Sequence, residues 1–169
     1  MKTQTEKTDS AEKEIFVKII LDSWKMQNER VDKFLDEISD RQLNAEIADG
    51  KNTGVYLVGH LAAVNDNLFQ ILDLGERPHA ELEEIFLRNS DNKDYKNISI
   101  SDLKNYWKEI NAKLTEKFAE FSAGNWFEKH ASVSAEDFAV EPHRNKLSVL
   151  LSRTIHQANH LGQLSLLKK

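Results

Sequence analysis

The sequence predicts an all-α protein, a four-helix bundle with a crossover connection, on three observations. Gly (6) and Pro (2) are scarce among 169 residues, which suits long helices better than short strands joined by tight turns. Apolar residues recur at three- and four-residue spacing through four long segments. The connections between those segments run to about ten to twenty residues, longer than simple up-and-down hairpins need.

The first segment follows an expected mobile tail over residues 1–9, ahead of a single domain over 10–169. Asp9 and Glu12 stand at capping-box spacing. Ile15, Phe16, Ile19, Ile20, Trp24, Val31, Phe34, Leu35 and Ile38 then keep helical periodicity, so helix one is predicted from about Ser10 to Ile38. The polar stretch 40–51 reads as a connection ending at Gly50. Asn52 or Thr53 can cap a second helix, with Val55, Val58, Leu61, Ala62, Leu68, Phe69 and Leu72 on its inner face; Gly75 and Pro78 stop it near Leu74.

The stretch 75–97 is long for a plain loop, and 79–87 can form a short helix inside it. Ser99 or Ser101 caps a third helix whose inner face carries Leu103, Tyr106, Trp107, Ile110, Leu114, Phe118 and Phe121; Gly124 is its expected end. From Asn125 to Arg144 the chain reads as irregular, with aromatic anchors at Trp126, Phe127 and Phe138. Trp24, Trp107 and Trp126 are assigned to the core, since large aromatics at helical spacing bury the most area. The last helix follows Pro142.

Composition narrows the function classes. Lys plus Arg number 23 against 28 Asp plus Glu, a net charge of −5, which leaves no long basic face for nucleic acid. There is no Cys, and with it go disulfides, thiolate ligands and a catalytic thiol of the chain's own. The first residues lack an apolar signal core, and no stretch reaches the ~18 uninterrupted apolar residues of a membrane span, so a cytoplasmic location is expected.

The strongest chemical signal lies in the last helix. From Leu147 to Leu167 the only formally charged side chain is Arg153, a pattern that belongs inside a helical protein. Yet the segment carries His156 and His160, four residues apart and so on one face, with Cβ atoms roughly 5–6 Å from each other. A third imidazole, His60, lies at the edge of the apolar arc of the second helix. A buried ring nitrogen calls for a partner. Three neutral imidazoles from two helices are a competent site for Zn²⁺, Ni²⁺, Mn²⁺ or Fe²⁺, with one or more coordination positions left open. Asn67 and Gln163 share stripes with these histidines and are candidates for supporting or substrate contacts, or ordinary packing amides. His79, His130 and His143 are expected to face solvent.

The phrases Val58-Gly59-His60-Leu61-Ala62 and His156-x-x-x-His160-Leu161-Gly162-Gln163 together resemble the DinB superfamily of small DinB/YfiT-like helical proteins. The resemblance spans about Ile15 to Leu167. It implies a crossover four-helix bundle, commonly a homodimer, with His60, His156 and His160 holding a divalent metal ion. It implies a reaction less sharply, since relatives include thiol-S-transferases, isomerases and hydrolase-like proteins, and kinship of fold does not choose among them.

Two functions are therefore carried forward. In the first, the three-His centre activates water or an external low-molecular-weight thiol against a small-molecule substrate. In the second, a non-catalytic dimeric bundle binds metal or a small ligand in a stress-related role. A structural site is normally closed by four protein ligands, so a carboxylate from 125–145 joining the histidines would favour the second. Asp66, Glu128, Glu136 and Glu141 are the acids considered as a base.

Overall fold

The computed structural model describes residues 4–168, with side chains from Ser10 onward. Of the expected tail, 1–3 lie outside the described residues. From Gln4 the backbone is already helical, and the Asp9–Glu12 cap rests on a side chain outside those described.

Four long helices carry the architecture: α1 (Gln4–Glu37), α3 (Gly54–Asp66), α6 (Ile100–Ala119) and α9 (Lys146–Leu164). Short helices fill the connections: α2 (Asp40–Leu43), α4 (Leu68–Ile71), α5 (Leu82–Phe86), α7 (Ala123–Trp126) and α8 (Ala135–Val140). No strand occurs among the described residues.

Capping fixes most starts. Thr53 accepts a hydrogen bond from the Tyr56 N–H at the head of α3, and Ser99 forms a capping box with Asp102 at the head of α6. Asn145 caps α9 by accepting from the Ser148 N–H.

Direction follows from contacts between helices. Gln157 of α9 donates to Asn28 of α1 at 2.8 Å, and Lys168 reaches Glu37, so α1 and α9 run parallel. Trp107 donates to Asp32 and Lys104 to the Ile38 carbonyl, so α6 runs against α1. A side chain at Gly54 would meet Leu167 and Leu43, which puts the head of α3 beside the tail of α9. The helices α3 and α6 are therefore parallel neighbours, joined across the middle of the bundle when Asn65 donates to Asn111. Parallel neighbours oblige the chain between them to travel back the full length of the bundle. That crossover carries α5, which packs on the outside of α3.

The core runs between the four long helices. Trp24, Trp107 and Trp126 are all buried in it, as are Phe86, Leu61 and Ile110. Burial of this apolar surface, at ~25 cal/mol per Å², is what holds helices of such modest intrinsic propensity together.

The structure departs from the sequence expectation in several places. The second helix does not run unbroken to Leu74; Asn67 closes α3 and α4 begins at Leu68. α6 ends at Ala119, short of Gly124, which sits inside α7 instead. The stretch 125–144 is not wholly irregular, because Ser134 caps α8 by accepting from the Asp137 N–H. Phe138 stands outside the core and Val133 is buried in that stretch. Ile15, Phe16 and Ile19 keep helical spacing yet are 54–60% exposed.

Candidate metal centre

His60 enters the site from α3 at a position set by its neighbour. Gly59 faces the Phe86 ring so closely that any Cβ there would overlap it. With the ring seated on Gly59, the Phe86 carbonyl oxygen accepts a hydrogen bond from His60 Nδ1 at 2.9 Å. A carbonyl can only accept, so Nδ1 carries the proton and the lone pair of neutral His60 lies on Nε2.

α9 supplies the other two rings from successive turns. His160 Nδ1 lies 2.6 Å from Gln163 Oε1 and donates to it, which again leaves a lone pair on Nε2. His156 Nε2 sits between the other two, 3.2 Å from His60 Nε2 and 3.0 Å from His160 Nε2. Its own Nδ1 is buried with no hydrogen-bond partner among the described residues.

This arrangement is poorly explained by imidazoles bonding only to each other. Two of the three Nε2 atoms are acceptors by tautomer, and one N–H on His156 cannot serve both well. Nitrogens held at about 2.0–2.1 Å around one ion stand about 3.0 Å apart at a right angle and about 3.4 Å apart at a tetrahedral angle. The two spacings to His156 fall in that range and the three ligand atoms lie within 4.8 Å of one another, so a cation fits the donor set. His60, His156 and His160 form a group that can hold a metal ion, and no carboxylate among the described residues joins them.

The electrostatics agree with a site kept neutral. Burial pushes the His156 ring down to about 4, assisted by His160, His60 and Arg153. His60 is also lowered, chiefly by burial, while its bond to Phe86 pulls the other way. Neutral rings are the form that ligates metal.

The remaining candidates scatter. Gln163 touches the cluster directly. Asn67 lies about two turns beyond His60, at the α3–α4 junction, and makes no side-chain hydrogen bond to the histidines. Asp66 is fully buried, but it accepts from Arg77 Nε at 2.8 Å and from the His79 N–H at 2.9 Å. Glu128 pairs with Lys146, Glu141 with Arg144, and Glu136 is exposed on α8. None of these acids reaches the cluster.

His143 is exposed, as its sequence context suggested, but His79 and His130 are not. His79 stacks 4.0 Å from the Tyr106 ring and reaches Glu109. His130 lines a cleft with Arg153. Sequence reading missed the Phe86 carbonyl entirely, because a backbone acceptor carries no residue signature; Gly59 was the one trace of it.

A crossover helical bundle with three converging imidazoles is the class of protein this chain presents. A family model described as the DinB superfamily matches residues 24–164, from the middle of α1 to the end of α9. The chain belongs to the DinB superfamily. Among curated proteins, none matches it.

Proposed function

We propose that this protein is a metal-dependent enzyme of the thiol-S-transferase or hydrolase type, acting on a small-molecule substrate with water or an external low-molecular-weight thiol as nucleophile. The observation that carries the reading is the convergence of three imidazole Nε2 atoms with no fourth protein ligand among the described residues. Divalent Zn, Ni, Mn or Fe is compatible with an all-imidazole donor set. Such an ion, when bound, supplies Lewis acidity that lets water or a thiol ionise near neutral pH. His60, His156 and His160 hold it, and Phe86 and Gln163 orient two of those rings through their second nitrogens. Because the chain has no Cys, thiol chemistry requires a cosubstrate.

One observation favours the non-catalytic alternative, a metal-binding bundle in a stress-related role: every acid considered as a general base is committed elsewhere or remote from the cluster. Elemental analysis of untagged protein, wild type beside a His156→Ala/His160→Ala variant, tests the shared premise. About one ion per chain in the wild type and none in the variant is expected. Turnover of thiol-transfer or hydrolysis substrates by the loaded wild type then separates enzyme from binding protein. No metal in either sample after reconstitution near neutral pH would sink both readings.

A homodimer and a cytoplasmic location complete the proposal. No helix among the described residues is long and apolar enough to cross a membrane. The dimer rests on exposed apolar surface. Ile15, Ile19 and Met26 share the stripe of α1 that ends at Glu37, on the flank toward α9 and away from Asp32 and Asp36, which reach α6. On α9, Leu151 (41% exposed) and Ile155 (62%) share a stripe with Ala158 and Gly162, away from the histidine face. A side chain at Gly162 would meet nothing in this chain. Glycine there costs about 1 kcal/mol relative to alanine, with no return inside one protomer. A second copy covering this flank accounts for both features.

A further inference from the structure

Arg153 stands one turn before His156 on α9. It is the sole charged side chain on that helix after Lys146. It has no acidic partner and no hydrogen bond among the described residues, and its Nε is buried. A guanidinium drawn out of water without a carboxylate carries an uncompensated desolvation cost, and every other described arginine but Arg30 and Arg41 is ion-paired. Arg30 and Arg41 lie on exposed or rim positions where water serves them.

What surrounds Arg153 has the chemistry of an anion site. It lines a cleft of about 330 Å³ with His130, Ser132, Ser148 and Ser152. The loop bearing His130 and Ser132 is laid across this end of the bundle when the Ala131 N–H donates to the Ile71 carbonyl at 2.9 Å. Ser152 and Ser148 come from the same helix as Arg153, one and five residues before it. No acidic residue lines the cleft. The side chain is near enough to the histidine cluster for its charge to act on His60 and His156.

We propose that this cleft is the recognition subsite for an anionic group, a carboxylate or phosphate, on the substrate of the adjacent three-His centre, with Arg153 as its principal ligand. A planar guanidinium offers parallel N–H donors that match the two oxygens of either group. Ser148 already donates to the Asn145 carbonyl, so the Ser132 and Ser152 hydroxyls and the His130 ring, which line the same cleft, complete the shell. The inference rests on the proposed metal-dependent reading, from which it takes the identity of the neighbouring site, but its test does not depend on turnover.

The probes are inorganic phosphate and succinate, titrated separately by calorimetry into full-length protein freed of metal by chelation, in chloride-free buffer near pH 7.5. Wild type should bind at least one of them saturably at one site per chain, and which one binds tells phosphate from carboxylate recognition. Arg153→Gln should weaken that binding at least tenfold. Ser152→Glu, which places a competing carboxylate beside the guanidinium, should do the same. His156→Ala and Arg88→Gln should leave it within about twofold. Circular dichroism checks that each variant is folded, and Arg153→Gln should retain the metal content of the wild type. Absence of saturable binding to either anion in the wild type would overturn the subsite, as would equal binding by both Arg153→Gln and Ser152→Glu. Loss of binding in His156→Ala would move the anion onto the histidines and overturn it too. A protein that binds the anion but never metal would leave the subsite standing and the metal centre refuted.

Discussion

His60 Nδ1 donates to the Phe86 carbonyl oxygen at 2.9 Å, so the crossover between α3 and α6 fixes the tautomer of a ring on α3. The same residue, Phe86, lays its ring on Gly59, one position before His60. Fold and site are joined at this point.

Replacing Gly59 should therefore damage both. A Gly59→Ala variant must displace the Phe86 ring, an overpacking cost of about 1–3 kcal/mol. The carbonyl beyond the ring shifts with it. Chemical denaturation should show the lost stability, and metal titration should show weaker retention than in the wild type. An unchanged midpoint would mean that α5 yields freely.

Gln163 can be separated from the ligands themselves. Gln163→Met keeps the length of the side chain but removes the acceptor 2.6 Å from His160 Nδ1. Loss of such a partner typically weakens metal affinity about 10–100-fold. Competition against a chelator measures this, and affinity equal to wild type would show that His160 needs no orienting partner.

Acid should destabilise the metal-free protein through His156. Burial lowers its folded pKa to about 4, below the ordinary value of 6.5. Between these values the unfolded chain binds more protons than the folded one. The stability this group contributes is complete above pH 6.5 and is lost as pH falls toward 4. The wild type should thus lose more stability over that window than a His156→Gln variant, as read from urea midpoints at pH 7.5, 6 and 5.

Placing charge on the outer flank of α1 and α9 should split the proposed dimer and spare the fold. Ile19→Asp and Ile155→Asp alter side chains that are 54% and 62% exposed, so little core burial is lost. Light scattering should report monomers with unchanged helical content and metal stoichiometry. A wild type already monomeric at high concentration would remove the proposed interface.

Much of this was legible along the chain because helices are local. The 3.6-residue period of α6, the serine cap at its head and the low charge of 147–167 all arise within a few turns. So does the pairing of His156 with His160, which α9 brings together by its own geometry. Boundaries were less legible where a tertiary contact overrode local preference. The second helix breaks at Asn67, after Asn65 and Asp66, although the apolar spacing continues through Leu68, Phe69 and Leu72, and Ile15 and Ile19 keep helical spacing without reaching the core.

The sequence by itself determined the class of fold, the helical faces and the three imidazoles, since each depends on residue type and short spacing. Only the tertiary structure decided that His60 meets His156 across 96 residues, that a backbone carbonyl sets its tautomer, and that Arg153 is left unpaired among the described residues beside a serine-lined cleft. Those relations depend on which helices are neighbours and in which direction they run. That follows from how four apolar faces bury one another, a property of the whole chain that no window of it contains.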